Sequence, residues 1–469
     1  VSKTYHSPGH LLAWRRFRSA CTIETVRMQA EALRRHIPER QFVTTNNQTW
    51  NPFTDYYEMD ALLDVSGTNY YPPYGDGSRF DPWAMAACRG YKRQNFQVHE
   101  LRNGPHMIPC IGRNTPVPGE IARLTLHCVG NGADAAFYFR WRAVPFGCEQ
   151  THASLTDYDG RPKRAYEEAQ RIGKNLKRLR PLLEGTSVRS EIAVLYDFPT
   201  RWVMESGAHW NGPVKLYMDL CRRLHMAVRA RRVNCDVIGR GQTFTDYQVL
   251  LIPALATMND ELEEKLAAFV EQGGVLVWHP LCGIKDEEAC IYNDRIHPRL
   301  KELLGVEIRE FATASPDEEI PFVWANDRYV GGCFCDLPEV QNDHIATGQF
   351  VETWFAGRPA VIDRVVAQGR AVYIATWAEP RFYHALFDKL IQHYGLRRIL
   401  EAEIPEPIEV VERSNEDGRR LVFLINSSAE QQMVLLPEGA EDVYHEEHIV
   451  DSTVLEPFGA RIISMPPEK

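Results

Sequence analysis

The first 185 residues alternate between strand-like and helix-like segments, and this alternation restricts the chain to a small set of folds. The β-rich segments read RQFVTTNN, LLDVSGTNYYPP, NFQVHELR and DAAFYFRWRA. Helical periodicity lies before, between and after them, in RRFRSACTIETVRMQAEALRRH, PGEIARLTLHCVGNGA and RPKRAYEEAQRIGKNLKRL. Strands that are separated by helices pair in parallel, so this part of the chain predicts an α/β fold with a helix-covered parallel sheet.

Two further domains are predicted after this one. Residues 186–398 alternate again between buried strands (EIAVLYD, YQVLLIPAL, VLVWHP, RAVYIATW) and helices, which predicts a doubly wound α/β domain. One helix in it is well signalled, because Asn259 is a suitable N-cap and Gly273 follows the last turn. Residues 399–469 contain strands alone, separated by turn signals such as NEDG, and predict a small β-sandwich.

Composition narrows the classes of partner. The 469-residue chain carries a net charge of −10, whereas nucleic-acid binding requires a clustered basic surface, so we expect no nucleic-acid partner. The eleven cysteines include one close pair, Cys333 and Cys335, without the second pair of a zinc site, and the second domain lacks a Gly-rich phosphate loop. We therefore expect no metal and no cofactor. No segment has the length of a membrane span and no apolar signal region opens the chain, which predicts a cytoplasmic protein with reduced thiols and no membrane partner.

The four strand segments of the first domain end in polar, charged or aromatic residues that could bind a ligand or take part in catalysis. The first ends at Asn46, the second at Tyr70, the third at Glu100, and the fourth at Phe139 and the arginines beyond it. Because the carboxyl ends of parallel strands meet at one face of a β/α barrel, these side chains are expected to converge there. Asn46, Tyr70, Glu100 and Phe139 are accordingly predicted at the same end of four adjacent parallel strands.

The loop after the fourth strand adds Glu149 and His152 in GCEQTH, three residues apart and able to reach one ligand. Carboxylates and an imidazole bind hydroxyl groups, and aromatic rings stack on the apolar face of a sugar, so the set suits a polyhydroxylated substrate. Glycoside hydrolysis requires two carboxyl groups, and Glu100 supplies only one of them.

Each residue alone also has a structural explanation. A single glutamate at a strand end is more often a solvated charge than a nucleophile, and His152 fits a hydrogen-bonded surface histidine. The segment FRWR fits cation–π packing at the surface, Tyr70 fits a core position, and Asn46 fits a helix cap. Their joint placement at the strand ends favours the functional interpretation.

The segments HELRNGP, GADAAFYFRWR and GCEQTHASLTDYDG resemble the second half of the catalytic barrel of the family 42 glycoside hydrolases, the β-galactosidases. SPGHLLAWRRFRSACTIE looks like the family's segment before its fifth barrel strand. The resemblance implies the C-terminal half (strands 5–8) of a (β/α)8 TIM barrel over residues 1–185. It also implies a trimerisation domain over 186–398, a C-terminal domain over 399–469, a homotrimer, and a galactoside or galacto-oligosaccharide as substrate.

The resemblance also implies roles for individual residues. Glu100 is the nucleophile that forms the glycosyl-enzyme, Glu149 and His152 bind galactose hydroxyls, Phe139 lines the sugar site, and Tyr70 approaches the nucleophile. One departure is visible, because the family has a tryptophan shortly after the nucleophile and NGPHMIPCIGRN contains none. Arg102, two residues beyond Glu100, is expected on the same side of the strand, where its charge would favour the ionised carboxylate.

The family's general acid/base lies in an Asn-Glu pair that ends the fourth barrel strand, ahead of every segment that resembles the family here. The one Asn-Glu pair of this chain, Asn415–Glu416, lies in a C-terminal turn. Two hypotheses follow. The first is a retaining β-galactosidase whose acid/base half is absent from these 469 residues, so that the chain alone is inactive. The alternative is a non-catalytic sugar-binding or oligomer-forming remnant.

Overall fold

The computed structural model describes residues 6–75, 79–105, 115–206, 216–315, 318–449 and 451–466. The first unit is a four-stranded parallel sheet in the order β1-β2-β3-β4, with β1 and β4 at its edges. Its strands are β1 (Asn46–Asn47), β2 (Gly67–Tyr70), β3 (Phe96–Arg102) and β4 (Ala133–Phe139). Its helices are α1 (Pro8–Arg34), α2 (Tyr56–Asp60), α3 (Pro82–Lys92), α4 (Glu120–Gly130) and α5 (Arg164–Leu183). The parallel sheet agrees with the prediction, and within the described residues these strands do not close into a barrel.

The second unit contains an 11-stranded mixed sheet. Its helices are α6 (Phe198–Ser206), α7 (Leu216–Arg229), α8 (Asp260–Glu271), α9 (Pro298–Leu304) and α10 (Pro380–Tyr394). Its strands are β5 (Ile192–Leu195), β6 (Asp236–Ile238), β7 (Val249–Ile252), β8 (Val275–Trp278), β9 (Val306–Thr313), β10 (Ile320–Trp324), β11 (Asp327–Val340), β12 (Ala346–Phe350), β13 (Pro359–Val366), β14 (Gly369–Ile374) and β15 (Thr376–Ala378). The predicted cap of α8 is confirmed, because the Asn259 side chain accepts a hydrogen bond from the Leu262 amide.

The prediction of a doubly wound domain is correct only for part of this sheet. Five strands are parallel, in the order β14-β8-β7-β5-β6, and antiparallel strands between residues 306 and 378 extend the sheet beyond β14. The sequence contains few of the turn signals that would predict these hairpins. The β10–β11 turn places Ala325 at φ 52° and Asn326 at φ 70°, a conformation for which glycine is the usual signal, and here an alanine takes the first position.

The third unit consists of antiparallel strands in two sheets, with orders β16-β17-β22-β19-β20 and β18-β21. The strands are β16 (Ile408–Ser414), β17 (Arg420–Asn426), β18 (Gln432–Leu435), β19 (Glu441–Asp442), β20 (Glu447–His448), β21 (Ser452–Leu455) and β22 (Ala460–Ser464). Apolar residues of both sheets share one core, including Val422 and Leu424 on one sheet and Val434 and Leu455 on the other.

Two helices of the first unit, α3 and α4, are buried against the other two units. Helix α3 approaches strand β6 so closely that a Cβ on Gly90 would lie 1.8 Å from the carbonyl oxygen of Val237. Helix α4 packs on β17, where Leu126 and Val129 join the cluster of Phe423. The outer surface of the parallel sheet is therefore covered, and the opposite surface, hereafter the inner face, carries exposed side chains such as Phe137.

Candidate active site

The inner face brings together side chains from three neighbouring strands. Asn46 Nδ2 lies 3.0 Å from Asn69 Oδ1 and 3.3 Å from Glu100 Oε1, so that the amide of β1 donates to groups on β2 and β3. The next residue, Asn47, points the other way and donates to the buried carboxylate of Asp60 at 3.1 Å. Side chains alternate along a strand, so the anchoring of Asn47 directs Asn46 towards Glu100.

An irregularity in β3 turns Glu100 onto the inner face. Thr68 pairs with Val98 and Asn69 pairs with Glu100, so β3 holds one residue more than β2 over this stretch. The pairing with β4 is interrupted at the same place. An extra residue of this kind is a β-bulge, which re-aims the side chains that follow it. His99 and Glu100 consequently both face inward, although they are adjacent in sequence.

Gly67 makes room for this arrangement. A Cβ at this position would lie 2.2 Å from the His99 ring, so a larger residue here would displace the histidine. Burial lowers the pKa of His99, against the opposing effect of the Glu100 charge. His99 Nε2 lies 3.2 Å from Gln97 Oε1. The neighbour of Glu100 is thus a neutral imidazole near pH 7, and not a cation that competes for its carboxylate.

The predicted role of Tyr70 is wrong, and Tyr71 contacts the carboxylate instead. Tyr71 Oη donates to Glu100 Oε2 at 2.7 Å. Burial, the hydrogen bond to Glu100 and the Glu100 charge raise the pKa of Tyr71 well above its usual value, so the phenol keeps its proton. Tyr70 is buried on the opposite side, where its hydroxyl accepts from the Asp81 amide at 2.7 Å and its ring stacks on His127. Tyr70 and Tyr71 are consecutive, and strand alternation sends only one of them inward.

This difference predicts opposite effects for two conservative substitutions. Tyr71→Phe should lower kcat in an active form of the enzyme by about 10- to 100-fold, the range for losing a hydrogen bond to a charged group of about 1.5–3 kcal/mol. Its melting temperature should change little. Tyr70→Phe should leave the Asp81 amide without its acceptor and cost about 1–3 kcal/mol of unfolding free energy, with kcat nearly unchanged. Steady-state kinetics and thermal denaturation of the two variants measure both effects, and equal kcat values would contradict the assignment.

The end of β4 supplies an aromatic and charged wall. Phe139 lies edge-on to Tyr71 and to His152, with ring centroids 6.5 and 6.0 Å apart, and the Arg140 guanidinium lies 4.5 Å from the Phe139 ring centroid. Arg140 donates to Glu149 Oε2 at 2.7 Å. The His152 amide donates to the Glu149 carbonyl oxygen at 3.0 Å, which closes a turn between them. The structure therefore brings Phe139, Glu149 and His152 to the same end of the sheet as Glu100.

Arg102 does not have the predicted position beside Glu100. It is buried, its guanidinium donates to the carbonyl oxygens of Gly104 and Pro72 at 2.9 and 2.8 Å, and it lies over the Tyr74 ring. The Arg102 guanidinium is thus held by backbone carbonyl oxygens. The tryptophan-free segment after Glu100 falls largely on residues 106–114, outside the described residues.

Sequence reasoning missed Tyr71, His99 and the pairing of Arg140 with Glu149. The doubled tyrosine in NYYPP was a usable signal, because one of two consecutive strand residues must face inward. Nothing in NFQVHELR marks the bulge. Across the described part of the chain, no cluster of three or more His, Cys, Asp or Glu side chains is arranged to hold a metal ion. None of the helices in those residues combines the length and apolarity of a membrane span.

Comparison with known proteins shows which family this chain resembles. The family model described as β-galactosidase matches residues 2–179, and the one described as the β-galactosidase trimerisation domain matches residues 190–397. β-Galactosidase BglY of Alicyclobacillus acidocaldarius is 27% identical over 477 residues, covering 98% of this chain and 68% of the relative. β-Galactosidase GanA of Bacillus subtilis is 24% identical over 470 residues, with coverages of 97% and 69%.

Solved structures give the same result. Gan42B, a family 42 β-galactosidase of G. stearothermophilus, superposes with a TM-score of 0.91 at 25% identity, covering 99% of this chain and 69% of that one. The β-galactosidase of Bacillus circulans sp. alkalophilus, at 22% identity, shares the fold with a TM-score of 0.91 over 99% of this chain and 70% of that one. This chain therefore spans about two thirds of the length of these relatives.

Proposed function

Because this chain belongs to the family 42 glycoside hydrolases, the β-galactosidases, we propose that Glu100 is the nucleophile of a retaining reaction on terminal β-D-galactosides. Its carboxylate attacks the anomeric carbon while the bond to the leaving-group oxygen breaks, giving a covalent galactosyl-enzyme. Water then attacks the same carbon, galactose departs, and the carboxylate is regenerated. The observation that carries this proposal is the position of Glu100 on the inner face, held by donors from β1 and from the residue after β2.

Those two donors suit a nucleophile. Asn46 and Tyr71 each donate to a different oxygen of Glu100, which fixes the plane of the carboxylate. A carboxylate held at both oxygens is oriented for attack on the anomeric carbon. One of the similar solved structures is a catalytic mutant of Gan42B in which a glutamate is replaced by alanine. This mutant agrees with catalysis by a glutamate in this family.

The remaining wall of the site would hold the sugar. Phe139 offers an aromatic ring to the apolar face of galactose, and His152 and Glu149 offer polar groups to its hydroxyls. Arg140 donates a hydrogen bond to one carboxylate oxygen of Glu149, which orients the other oxygen towards a sugar hydroxyl. Glu149 is thus proposed as a binding group, and not as the acid.

The acid/base has to come from a second carboxyl group about 5–5.5 Å from Glu100. Among the described residues the hydrogen-bond partners of Glu100 are an amide and a phenol. We propose that strands β1 to β4 are the last four strands of an eight-stranded barrel and that the acid/base lies on its first four. The same observation is compatible with an inactive sugar-binding remnant. The completed barrel, which is this chain expressed with the first four strand–helix units of Gan42B, distinguishes the hydrolase from the remnant by its activity.

The stereochemistry of the product tests the reaction type. Proton NMR of the completed barrel acting on a nitrophenyl β-galactoside should show β-galactose as the first product, followed by slower mutarotation. Release of α-galactose first would mean inversion, and would exclude Glu100 as a covalent nucleophile.

Oligomerisation is the second part of the proposal. The match of residues 190–397 to a trimerisation domain supports a homotrimer. Light scattering at micromolar concentration should give about three times the 53.8 kDa of one chain. A monomer at that concentration would contradict this assignment while leaving the role of Glu100 untouched.

A further inference from the structure

A buried cluster of polar side chains lies behind the inner face, on the opposite side of the parallel sheet from Glu100. It consists of Asn47 on β1, Asp60 at the end of α2 and Ser66 just before β2. Each of the three is exposed by 1% or less. A carboxyl group so far from water requires hydrogen bonds within the protein.

The contact between Asn47 and Asp60 is one half of a reciprocal pair. Asn47 Nδ2 donates to Asp60 Oδ2 at 3.1 Å. Each of the two planar groups has one further oxygen, and in the part of the chain that the structure describes neither Asn47 Oδ1 nor Asp60 Oδ1 has a hydrogen-bond partner. An amide and a carboxylic acid have the donors and acceptors for two parallel bonds, one N–H to O and one O–H to O. A proton on Asp60 Oδ1 therefore supplies the donor for Asn47 Oδ1.

An ionised Asp60 would instead leave a charged oxygen without a donor in a buried site, which is costly. Lys92 is a nearby cation, and its Nζ donates to the backbone carbonyl oxygen of Asp60 at 3.1 Å. Burial raises the pKa of Asp60 to about 7, although Ser66, Asn47 and the Lys92 charge all favour ionisation. Asp60 thus keeps its proton over a pH range in which an exposed aspartate has lost it.

Three other titratable groups lie on the helices around this carboxyl group. Tyr56 on α2 and Cys88 on α3 have pKa values raised by burial, so both are neutral near pH 7. Arg34 on α1 is paired with Asp64 at 3.1 Å. The main competitor of the proton is therefore the charge of Lys92.

The cluster is connected to the nucleophile through β1. This strand consists of Asn46 and Asn47 alone, and consecutive side chains of a strand point to opposite faces. Asn47 is held at Asp60, and Asn46 donates to Glu100 Oε1 at 3.3 Å. Two hydrogen bonds to Asn47 fix the plane of its amide, and with it the rotation of β1 that directs Asn46 towards Glu100.

We propose that Asp60 is a positioning residue, held as a neutral carboxylic acid that pairs with Asn47 through two hydrogen bonds and thereby keeps Asn46 on Glu100. This arrangement is a property of the folded chain, and only its benefit to catalysis rests on the proposed function. Raising the pH through about 7 removes the proton, breaks the second bond and loosens β1.

The pH dependence of thermal stability tests the protonation state in the 469-residue chain. A carboxyl group with a higher pKa in the folded than in the unfolded state loses stabilisation as the pH rises from the unfolded to the folded value, here from about 4 to about 7. Asp60→Asn keeps both bonds as an amide–amide pair and has no proton to lose. The melting temperature of Asp60→Asn minus that of the unaltered chain should increase by about 3 °C or more between pH 5 and pH 8.

Asp64→Asn is the matched control, because it makes the same change at an exposed aspartate four residues away. The Val43 amide donates to Asp64 Oδ2 at 2.7 Å, and this bond lowers the Asp64 pKa. Its carboxyl group is ionised throughout this range, so the corresponding difference should not increase with pH. A difference for Asp60→Asn that stays constant or falls would overturn the proposal, because it would mean that Asp60 is ionised beside Lys92.

Two spectroscopic measurements on the same chain require no enzymatic activity. At pH 6 the infrared difference spectrum between the unaltered chain and Asp60→Asn should contain the carbonyl band of a protonated carboxyl group, and absence of this band would overturn the protonation state. In ¹⁵N-asparagine-labelled chain, the side-chain amide signal of Asn46 is assigned by its loss in Asn46→Asp. Between pH 6 and pH 8 this signal should shift in the unaltered chain and stay constant in Asp60→Asn. The same response in both would overturn the positioning role, whether or not Glu100 proves to be the nucleophile.

Discussion

Glu100→Gln in the completed barrel is expected to lower kcat for a nitrophenyl β-galactoside by about 10⁴-fold or more, a loss of the size seen when other covalent enzymes lose their nucleophile. Glutamine has nearly the same shape, its carbonyl oxygen still accepts from Asn46 and its amide group can donate to the Tyr71 hydroxyl, so the site should keep its structure. It cannot form the glycosyl ester at a useful rate, because a neutral amide is a poor nucleophile. Steady-state kinetics, with circular dichroism to verify folding, measure this effect.

Glu149→Gln is the matched control, since it makes the same chemical change at the same end of the sheet. Glu149 is 52% exposed at its side chain and pairs with Arg140, and the proposed role is to bind a hydroxyl. Its loss should lower kcat/KM by about 10- to 100-fold, the value of a hydrogen bond to a charged group. If Glu149→Gln proves the more damaging of the two, the roles of the two glutamates have to be exchanged.

The 469-residue chain by itself is expected to have little or no galactosidase activity. Protonation of the leaving group by a positioned acid contributes about 10²–10⁴-fold to such reactions, and the described residues place an amide and a phenol at Glu100. Tyr71 cannot take over this role, because burial and the Glu100 charge raise its pKa and it already donates to the nucleophile. An assay of the purified chain beside the completed barrel measures the difference.

Substrates that need no acid provide the control for this prediction. A dinitrophenyl galactoside has a leaving group that departs without protonation, so its turnover should fall less than that of an alkyl galactoside. Efficient cleavage of an alkyl galactoside by the 469-residue chain, abolished by Glu100→Gln, would contradict the prediction and show that the chain holds its own acid.

The large elements could be predicted because their signals are local and repeated. Alternating strand and helix segments predicted the parallel sheet. Strand ends predicted that Asn46, Tyr70, Glu100 and Phe139 lie at the same end of four adjacent parallel strands, as the pairing of β1 to β4 shows. The boundaries at residues 185 and 398 stay predictions, as do the roles of the site residues.

The predictions that were wrong depend on strand register, where a shift of one residue changes which side chains face inward. One extra residue in β3 changes which side chains face the inner face, and the sequence carries no glycine or proline there to announce it. The same sensitivity to register placed Tyr71, and not Tyr70, beside Glu100. The antiparallel strands after β8 escaped notice because Ala325 and Asn326 form their turn without the usual glycine.

The central claim is that Glu100 forms a covalent bond to galactose, and trapping that intermediate tests it most directly. The completed barrel is treated with a 2-fluoro galactoside that carries a good leaving group, which slows breakdown of the glycosyl-enzyme, and is then digested for mass spectrometry. We predict one 2-fluorogalactosyl group on the peptide that contains VHELR, with fragmentation placing it on Glu100. A label on Glu149, or a label that persists in Glu100→Gln, would contradict the account.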